Sequence, residues 1–365
     1  MKLTRREFTS LAGAATLSAL APRIVARGQS RPIGWCIVGL GRISMDHFMP
    51  GVQQGHTGRM VALVSGHRPK AEQQAAKYGV PASSLYSYED YDRIRDNKDI
   101  DAVYIALPNS MHAEYTVRAA RAGKHVLSEK PMATSVADCR RMIDACRAAN
   151  VKLMIAYRCQ YEPVNLRAIS LIRSGAIGQV QAIESANGFN ISPGEWRLNR
   201  ALAGGGPLLD VGIYSLNACR YLTGEEPEPA TIRANSSVID RDGRFTTVEE
   251  NVSWTMKFPS GIVAACNTSY GAQMNGYYRV HGAKGMIELS PAFIYEGLHM
   301  KAELPDHQTI DMPDPQRDPD QFTVQSDYFA QCIRENQIPK TSGEEGLRDT
   351  VLMSDIYKSA GLPAL

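Results

Sequence analysis

Arg31-Pro-Ile-Gly-Trp-Cys-Ile-Val-Gly-Leu-Gly-Arg-Ile-Ser44 is the stretch that decides the fold. Its apolar run, Ile33 to Val38, stops at Gly39-Leu-Gly41, and an amphipathic pattern carrying Ile43, His47, Phe48 and Val52 begins directly after it. Strand, glycine turn and helix in that order present backbone N–H groups and a helix N-terminus to a pyrophosphate. Gly39 suits the tight turn and Gly41 the close approach of backbone to phosphate, while Ser44 stands where the dinucleotide fingerprint has its third glycine. A Gly-x-Gly pair alone is a weak signal, since a plain strand-to-helix turn uses the same residues. The strand before and the helix after favour dinucleotide binding, with Gly39, Gly41, Arg42 and Ile43 as candidate contacts.

Downstream, Met60-Val-Ala-Leu-Val64 reads as a second buried strand. The loop after it, Ser65-Gly-His-Arg-Pro-Lys70, has no acid where NAD-binding folds place one for the ribose 2′-hydroxyl. It offers Ser65, Arg68 and Lys70 instead, which suits a 2′-phosphate, so NADP is the expected cofactor; a solvated loop with chance charges is the alternative. Helical periodicity over 69–78, 88–95, 112–122 and 135–149 then alternates with apolar runs at 101–107, 124–128 and 152–156. Alternation of this kind implies a parallel sheet with right-handed crossovers. Beyond Tyr157 the texture changes. A helix over 163–174 leads into segments at 179–189, 231–239, 249–258, 262–269 and 277–281, and the period-two pattern of Val252-Ser-Trp-Thr-Met-Lys-Phe258 argues for an antiparallel sheet with one face covered. Residues 305–320, rich in Pro and Asp, read as a surface loop, and helices over 325–335 and 344–359 return to the first domain. The expected fold is an α/β Rossmann domain over 31–156 joined to an α+β domain over 157–365 with a mostly antiparallel sheet.

Length and composition agree with that division. A chain of 365 residues is long for one core. A net charge of +2, with no basic run interleaved with aromatics, gives no reason to expect nucleic acid or a membrane surface as partner. Its seven cysteines include no Cys-x-x-Cys pair, so neither a disulfide framework nor a zinc site is read. The first thirty residues read as an export signal and linker: Thr4-Arg5-Arg6-Glu7-Phe8-Thr9 is a twin-arginine pattern, and the apolar run from Leu11 to Ala21 is too short to span a bilayer. A periplasmic protein exported with its nucleotide already bound is the expectation.

Polar groups follow buried strands at their carboxyl ends, where ligands sit in such sheets. Glu129-Lys130-Pro131 is one such place: a lysine there can bond a substrate hydroxyl or assist a neighbouring phenol, although most lysines lie on the surface. Gly204-Gly-Gly-Pro-Leu-Leu-Asp210-Val-Gly-Ile-Tyr214 is another. If Leu208 onward is helical, Asp210 and Tyr214 share a face and could hold a sugar hydroxyl and take its proton. A helix-terminal acid with an ordinary half-buried tyrosine is the alternative. Trp196-Arg197 and Tyr157-Arg158 are stacking and hydrogen-bonding candidates for sugar or nicotinamide.

Gly39-Leu-Gly41, Leu107-Pro-Asn109-Ser-x-His112, Glu129-Lys130-Pro131-Met-Ala and Asp210-Val-Gly212-Ile-Tyr214 together resemble the glucose–fructose oxidoreductase / inositol dehydrogenase / MocA family. The resemblance is strongest to its sugar oxidoreductase subgroup, because most inositol-dehydrogenase-like members carry histidine where Tyr214 stands. It implies a Rossmann domain joined to an open-faced sheet that usually forms a subunit interface, hence a homodimer or homotetramer. It implies Lys130 and Tyr214 as the catalytic pair, Asp210 orienting substrate, and a cis bond before Pro131. Expected cofactor contacts then grow to include Leu107, Asn109, His112, Glu129, Lys130, Arg158, Trp196 and Arg197. Expected substrate contacts are Lys130, Tyr157, Asp210, Tyr214 and Tyr278. Two departures matter. The subgroup's long proline-rich arm is replaced by about ten residues between apolar run and first strand, and Phe189-Asn-Ile-Ser-Pro-Gly194 differs from its counterpart. The implied function is NADP-dependent oxidation of an aldose at C1 to a lactone without a metal, with a second sugar reduced by the retained cofactor. A dehydrogenase with exchanging cofactor, an aldose–aldose oxidoreductase and a non-catalytic sugar or dinucleotide sensor are the alternatives.

Overall fold

The computed structural model describes residues 31–365. The twin-arginine pattern and the apolar run after it lie outside the described residues.

The apolar runs of the first half form a six-stranded parallel sheet: β1 (Ile33–Val38), β2 (Gly58–Val64), β3 (Leu85–Tyr86), β4 (Ala102–Ile105), β5 (His125–Ser128) and β6 (Leu153–Ile155). Their order, 3-2-1-4-5-6, reverses direction at β1, so β1 and β4 flank a crevice at their carboxyl ends. Between the strands run α1 (Met49–Gln54), α2 (Arg68–Tyr78), α3 (His112–Arg121) and α4 (Val136–Ala148). Their ends follow capping chemistry. Ser135 Oγ accepts from the Asp138 N–H at the start of α4, and Gly79, with φ +69°, ends α2 in the left-handed region. Strand β1 is completely buried, and its Trp35 packs edge-on against Phe48.

The second half adds α5 (Pro163–Arg173), α6 (Arg200–Ala203), α7 (Ile213–Thr223) and an eight-stranded sheet. Its strands are β7 (Val180–Gly188), β8 (Arg233–Ser237), β9 (Asn251–Lys257), β10 (Val263–Ser269), β11 (Tyr277–Gly282), β12 (Gly285–Leu289), β13 (His299–Glu303) and β14 (Thr309–Pro313). Every neighbour pair is antiparallel except β7 with β10. One face lies under α5 and α7 and the other is open, as the alternating burial of β9 shows. Helix α8 (Asp320–Arg334) sends Phe322 and Phe329 into the Trp35–Phe48 cluster, and α9 (Gly343–Ser359) lies along α4. Residues 32–365 thus form a single unit.

Two expectations need correcting. The stretch 305–320 is not all loop: Thr309–Pro313 pairs with β13 as an edge strand, where its Pro313 and short length are tolerated. Helix α8 also begins earlier than 325, at Asp320. No helix among the described residues is long and apolar enough to cross a membrane.

Candidate active site

The glycine turn leaves β1 with Gly39 at φ +94°, a conformation that L side chains rarely adopt. A Cβ on Gly39 would meet Ala106 O at 2.4 Å, so β1 and β4 approach too closely there for any side chain. At Gly41 a Cβ would meet nothing within 4 Å, so the backbone opens to free space where a pyrophosphate must come close. Ser44 does more than save space: it is fully buried and its hydroxyl donates to Gly39 O at 2.6 Å, fastening the helix to the turn. After β2, the Ser65 Oγ accepts from the His67 N–H, and Lys70 Nζ reaches Leu40 O at 3.4 Å, beside the turn. Arg68 is half-exposed and pairs with Glu72. These residues form a cradle that fits a dinucleotide.

Lys130 follows β5, and the Lys130–Pro131 bond is cis, as the resemblance implies. Its Nζ donates to Asp210 O at 2.7 Å and to Asp210 Oδ1 at 3.2 Å. Burial alone would lower the Lys130 pKa, but Tyr214, Asp210 and Glu129 outweigh it and the net direction is upward. Asp210 Oδ2 accepts from the Tyr270 hydroxyl at 2.8 Å and forms an ion pair with Arg197 Nε at 2.9 Å. Against burial, Lys130, Arg197 and Tyr270 bring the Asp210 pKa down to about 2. Asp210 sits in a π-helical turn, Leu208–Gly212, that runs directly into α7. Turns of this wider kind are frequent at functional sites. Asn187 Nδ2 and Thr268 Oγ1 donate to the Val211 and Pro207 carbonyls of that segment. Tyr214, at the start of α7, has its ring 4.8 Å from Lys130 Nζ and 5.6 Å from the Phe293 ring. Glu129 accepts from the Tyr104 hydroxyl at 2.7 Å, and burial raises its pKa.

The glycine turn and this cluster are linked. Arg42 lies 3.6 Å from Glu195, Glu195 lies 3.9 Å from Arg197, and Arg197 holds Asp210 and rests on the Trp196 ring. Ile43 is partly buried beside the turn, and the Leu107 side chain lies against Gly39. The structure therefore brings Gly39, Gly41, Arg42, Ile43, Leu107, Glu129, Lys130, Trp196, Arg197, Asp210 and Tyr214 toward one crevice.

Other expected contacts are buried, with side chains already engaged inside the protein. Asn109 is buried and donates to Ala203 O, and both ring nitrogens of His112 face the Pro131 and Leu107 carbonyls at 2.8 and 2.9 Å. These contacts brace the loops that carry the two residues. Arg158 is 5% exposed and spent on the Phe293 and Ile294 carbonyls and Gln321. Tyr278 is fully buried under α5, its hydroxyl donating to Asn165 Oδ1, because the β11 alternation turns it to the covered face. Tyr157 is likewise buried, lining one small space with Lys130 and Tyr214. Sequence reading missed Tyr270, Tyr104, Phe293 and Tyr295. Tyr270 alone had a signal, as the aromatic that ends the β10 alternation.

Residues 33–157 match the family described as "Oxidoreductase family, NAD-binding Rossmann fold", and residues 165–288 match the "GFO/IDH/MocA C-terminal domain". The chain is 30% identical over 335 residues to a D-xylose 1-dehydrogenase [NADP(+)] of Haloarcula marismortui, covering 90% of this chain and 91% of the relative. A second D-xylose 1-dehydrogenase (NADP(+)), from Haloferax volcanii, is 30% identical, covering 89% and 96%. Among solved structures, the aldose-aldose oxidoreductase of Caulobacter crescentus complexed with glycerol superposes with a TM-score of 0.87. It is 45% identical, with 91% of this chain and 98% of that chain covered.

Proposed function

The chain belongs to the GFO/IDH/MocA oxidoreductase family, and within it we propose an NADP-dependent enzyme that oxidises an aldose at C1 to a lactone. The cofactor is a nicotinamide dinucleotide. NADP is favoured over NAD by Ser65, Arg68 and Lys70 after β2 with no acid at that point, and by the similarity to NADP-dependent xylose dehydrogenases.

One observation carries the reading: Lys130, Asp210 and Tyr214 meet at the carboxyl edge of the parallel sheet, tied through Arg197 and Glu195 to the glycine turn. When bound, the nicotinamide supplies the electron sink for the hydrogen that leaves C1. The protein's part is orientation and the proton. Asp210, held ionised, and Lys130, held charged, offer an acceptor and donors to sugar hydroxyls. Tyr214, beside a fixed cation, takes the C1 hydroxyl proton.

Retention of the nucleotide through both half-reactions would let a second sugar be reduced to an alditol in the same crevice. The likeness to an aldose–aldose oxidoreductase favours a second aldose over a ketose as that acceptor. The twin-arginine pattern at residues 4–9 supports a periplasmic location. Changing Tyr214→Phe should lower kcat for aldose oxidation by about 10²–10⁴-fold while nucleotide binding, read by fluorescence titration, stays intact. Unchanged turnover would remove Tyr214 from the reaction.

A further inference from the structure

Arg158 stands out because it is a buried cation with no charged acceptor. It is 5% exposed, and its hydrogen bonds go to two main-chain carbonyls, Phe293 O and Ile294 O, and to the Gln321 amide oxygen. A guanidinium taken out of water is costly unless negative charge compensates it. The groups that face it are the buried Glu129 carboxylate, on which its charge acts, and two phenols: its guanidinium carbon lies 5.3 Å from the Tyr214 ring centroid and 4.6 Å from that of Tyr295. The strand ends explain the placement. Neighbouring parallel strands β5 and β6 are in register at Ser128 and Ile155, and each runs out into a cation, Lys130 after one and Arg158 after the other. Both reach the same phenol.

Resting on the oxidoreductase reading above, we propose that Arg158 is a positioning residue for proton transfer, a second cation that holds Tyr214 ready to accept the sugar proton. The other groups around Tyr214 are accounted for. Lys130 and Glu129 come from the β5 end, Tyr104 from β4, Tyr295 from the segment before β13, and Asp210 from the preceding turn. Tyr157, Cys159 and Tyr221 line the small space that Tyr214 shares with Lys130. Of these only Lys130 is cationic, so removing Arg158 leaves a single positive charge on the phenol. Burial opposes charge on Arg158, and Tyr214 is the first of its neighbours to favour that charge.

The test uses the full chain and two readouts. Ultraviolet difference titration of tyrosinate identifies the step that Tyr214→Phe lacks, and the pH profile of aldose oxidation reports the same group in turnover. In Arg158→Met both should move to higher pH, with an about tenfold loss of kcat near neutrality. Arg158→Lys, which keeps the charge, should bring both back toward wild type. Gln321→Leu disturbs the scaffold with the charge kept: it removes one acceptor of Arg158 and the Nε2 bonds to the Ile294 and Tyr295 carbonyls. That variant should slow turnover without moving the profile. A titration step in Arg158→Met that coincides with wild type, or a profile that Gln321→Leu moves equally, would overturn the proposal. If Arg158→Met shows the titration shift but wild type turns over no sugar, the assignment of Arg158 to Tyr214 stands and the oxidoreductase reading fails.

Discussion

Asp210 takes its character from its neighbours. Burial would raise its pKa, but Lys130, Arg197 and the Tyr270 hydroxyl outweigh burial. A carboxylate held below its unfolded value stabilises the fold above the ordinary carboxylate range, and that contribution is lost as pH falls through the folded value. Asn at this position cannot titrate. The stability difference between wild type and Asp210→Asn should therefore shrink by about 2 kcal/mol as pH falls from about 5 to about 2, read by urea unfolding at each pH. A constant difference would mean that these cations do not hold the carboxylate. At this scale the sequence picked out Lys130, Asp210 and Tyr214, which the structure brings together, since a lysine after an apolar strand and an acid and phenol on one helical face are local patterns. It could not show which polar groups are consumed internally. His112 looked free in the chain but spends both nitrogens on carbonyls, one of them a loop away at Pro131. Nor could it place Arg158, whose acceptors lie far along the chain at 293, 294 and 321.

The element that matters most is the glycine run with its π-helical turn. Gly206 N–H donates to both oxygens of the buried Glu249 carboxylate, which also accepts from the Tyr357 hydroxyl at 2.6 Å. A Cβ on Gly206 would meet Glu249 O at 2.5 Å, main chain that has no room to move. Gly206→Ala should cost about 1–3 kcal/mol of stability. It should also raise KM for the sugar, because the turn it displaces carries Asp210. An unaltered melting temperature together with unaltered kinetics would show that the close approach is not needed. Periodicity made most elements legible: the helices of the first half, its strands other than the two-residue β3, and β7 to β11 sit within a few residues of where the alternation places them. The strands β12 to β14 were not anticipated, because their runs are short and β14 is an exposed edge ending in proline. The π turn was also invisible, since an acid and a tyrosine four apart suit either helical form. Its wider turn is held by Asn187 and Thr268 from β7 and β10, which is tertiary information.

Across the whole molecule, two sheets of different chemistry meet at one helix. The parallel sheet ends in the glycine turn, Lys130 and Arg158, while α7 lies on the antiparallel sheet and presents Tyr214 back to them. Helix α7 is fixed from behind by Arg220, whose guanidinium pairs with Glu345 and Asp349 of α9 and with Glu226. Replacing one partner of such a buried cluster exposes the other charges to burial without compensation, which is how a distant helix can hold the site in place. On the proposed function, this arrangement moves a hydride from an aldose to a nucleotide that stays bound. The direct measurement is the near-ultraviolet absorption of reduced nicotinamide in the purified full-length protein, with no nucleotide added, while single aldoses are supplied. The prediction is a band that appears with an aldose, is lost in Tyr214→Phe, and is discharged by a second sugar. No band with any aldose, with or without added NADP and despite measurable NADP binding, would contradict it and leave a protein that binds without catalysing.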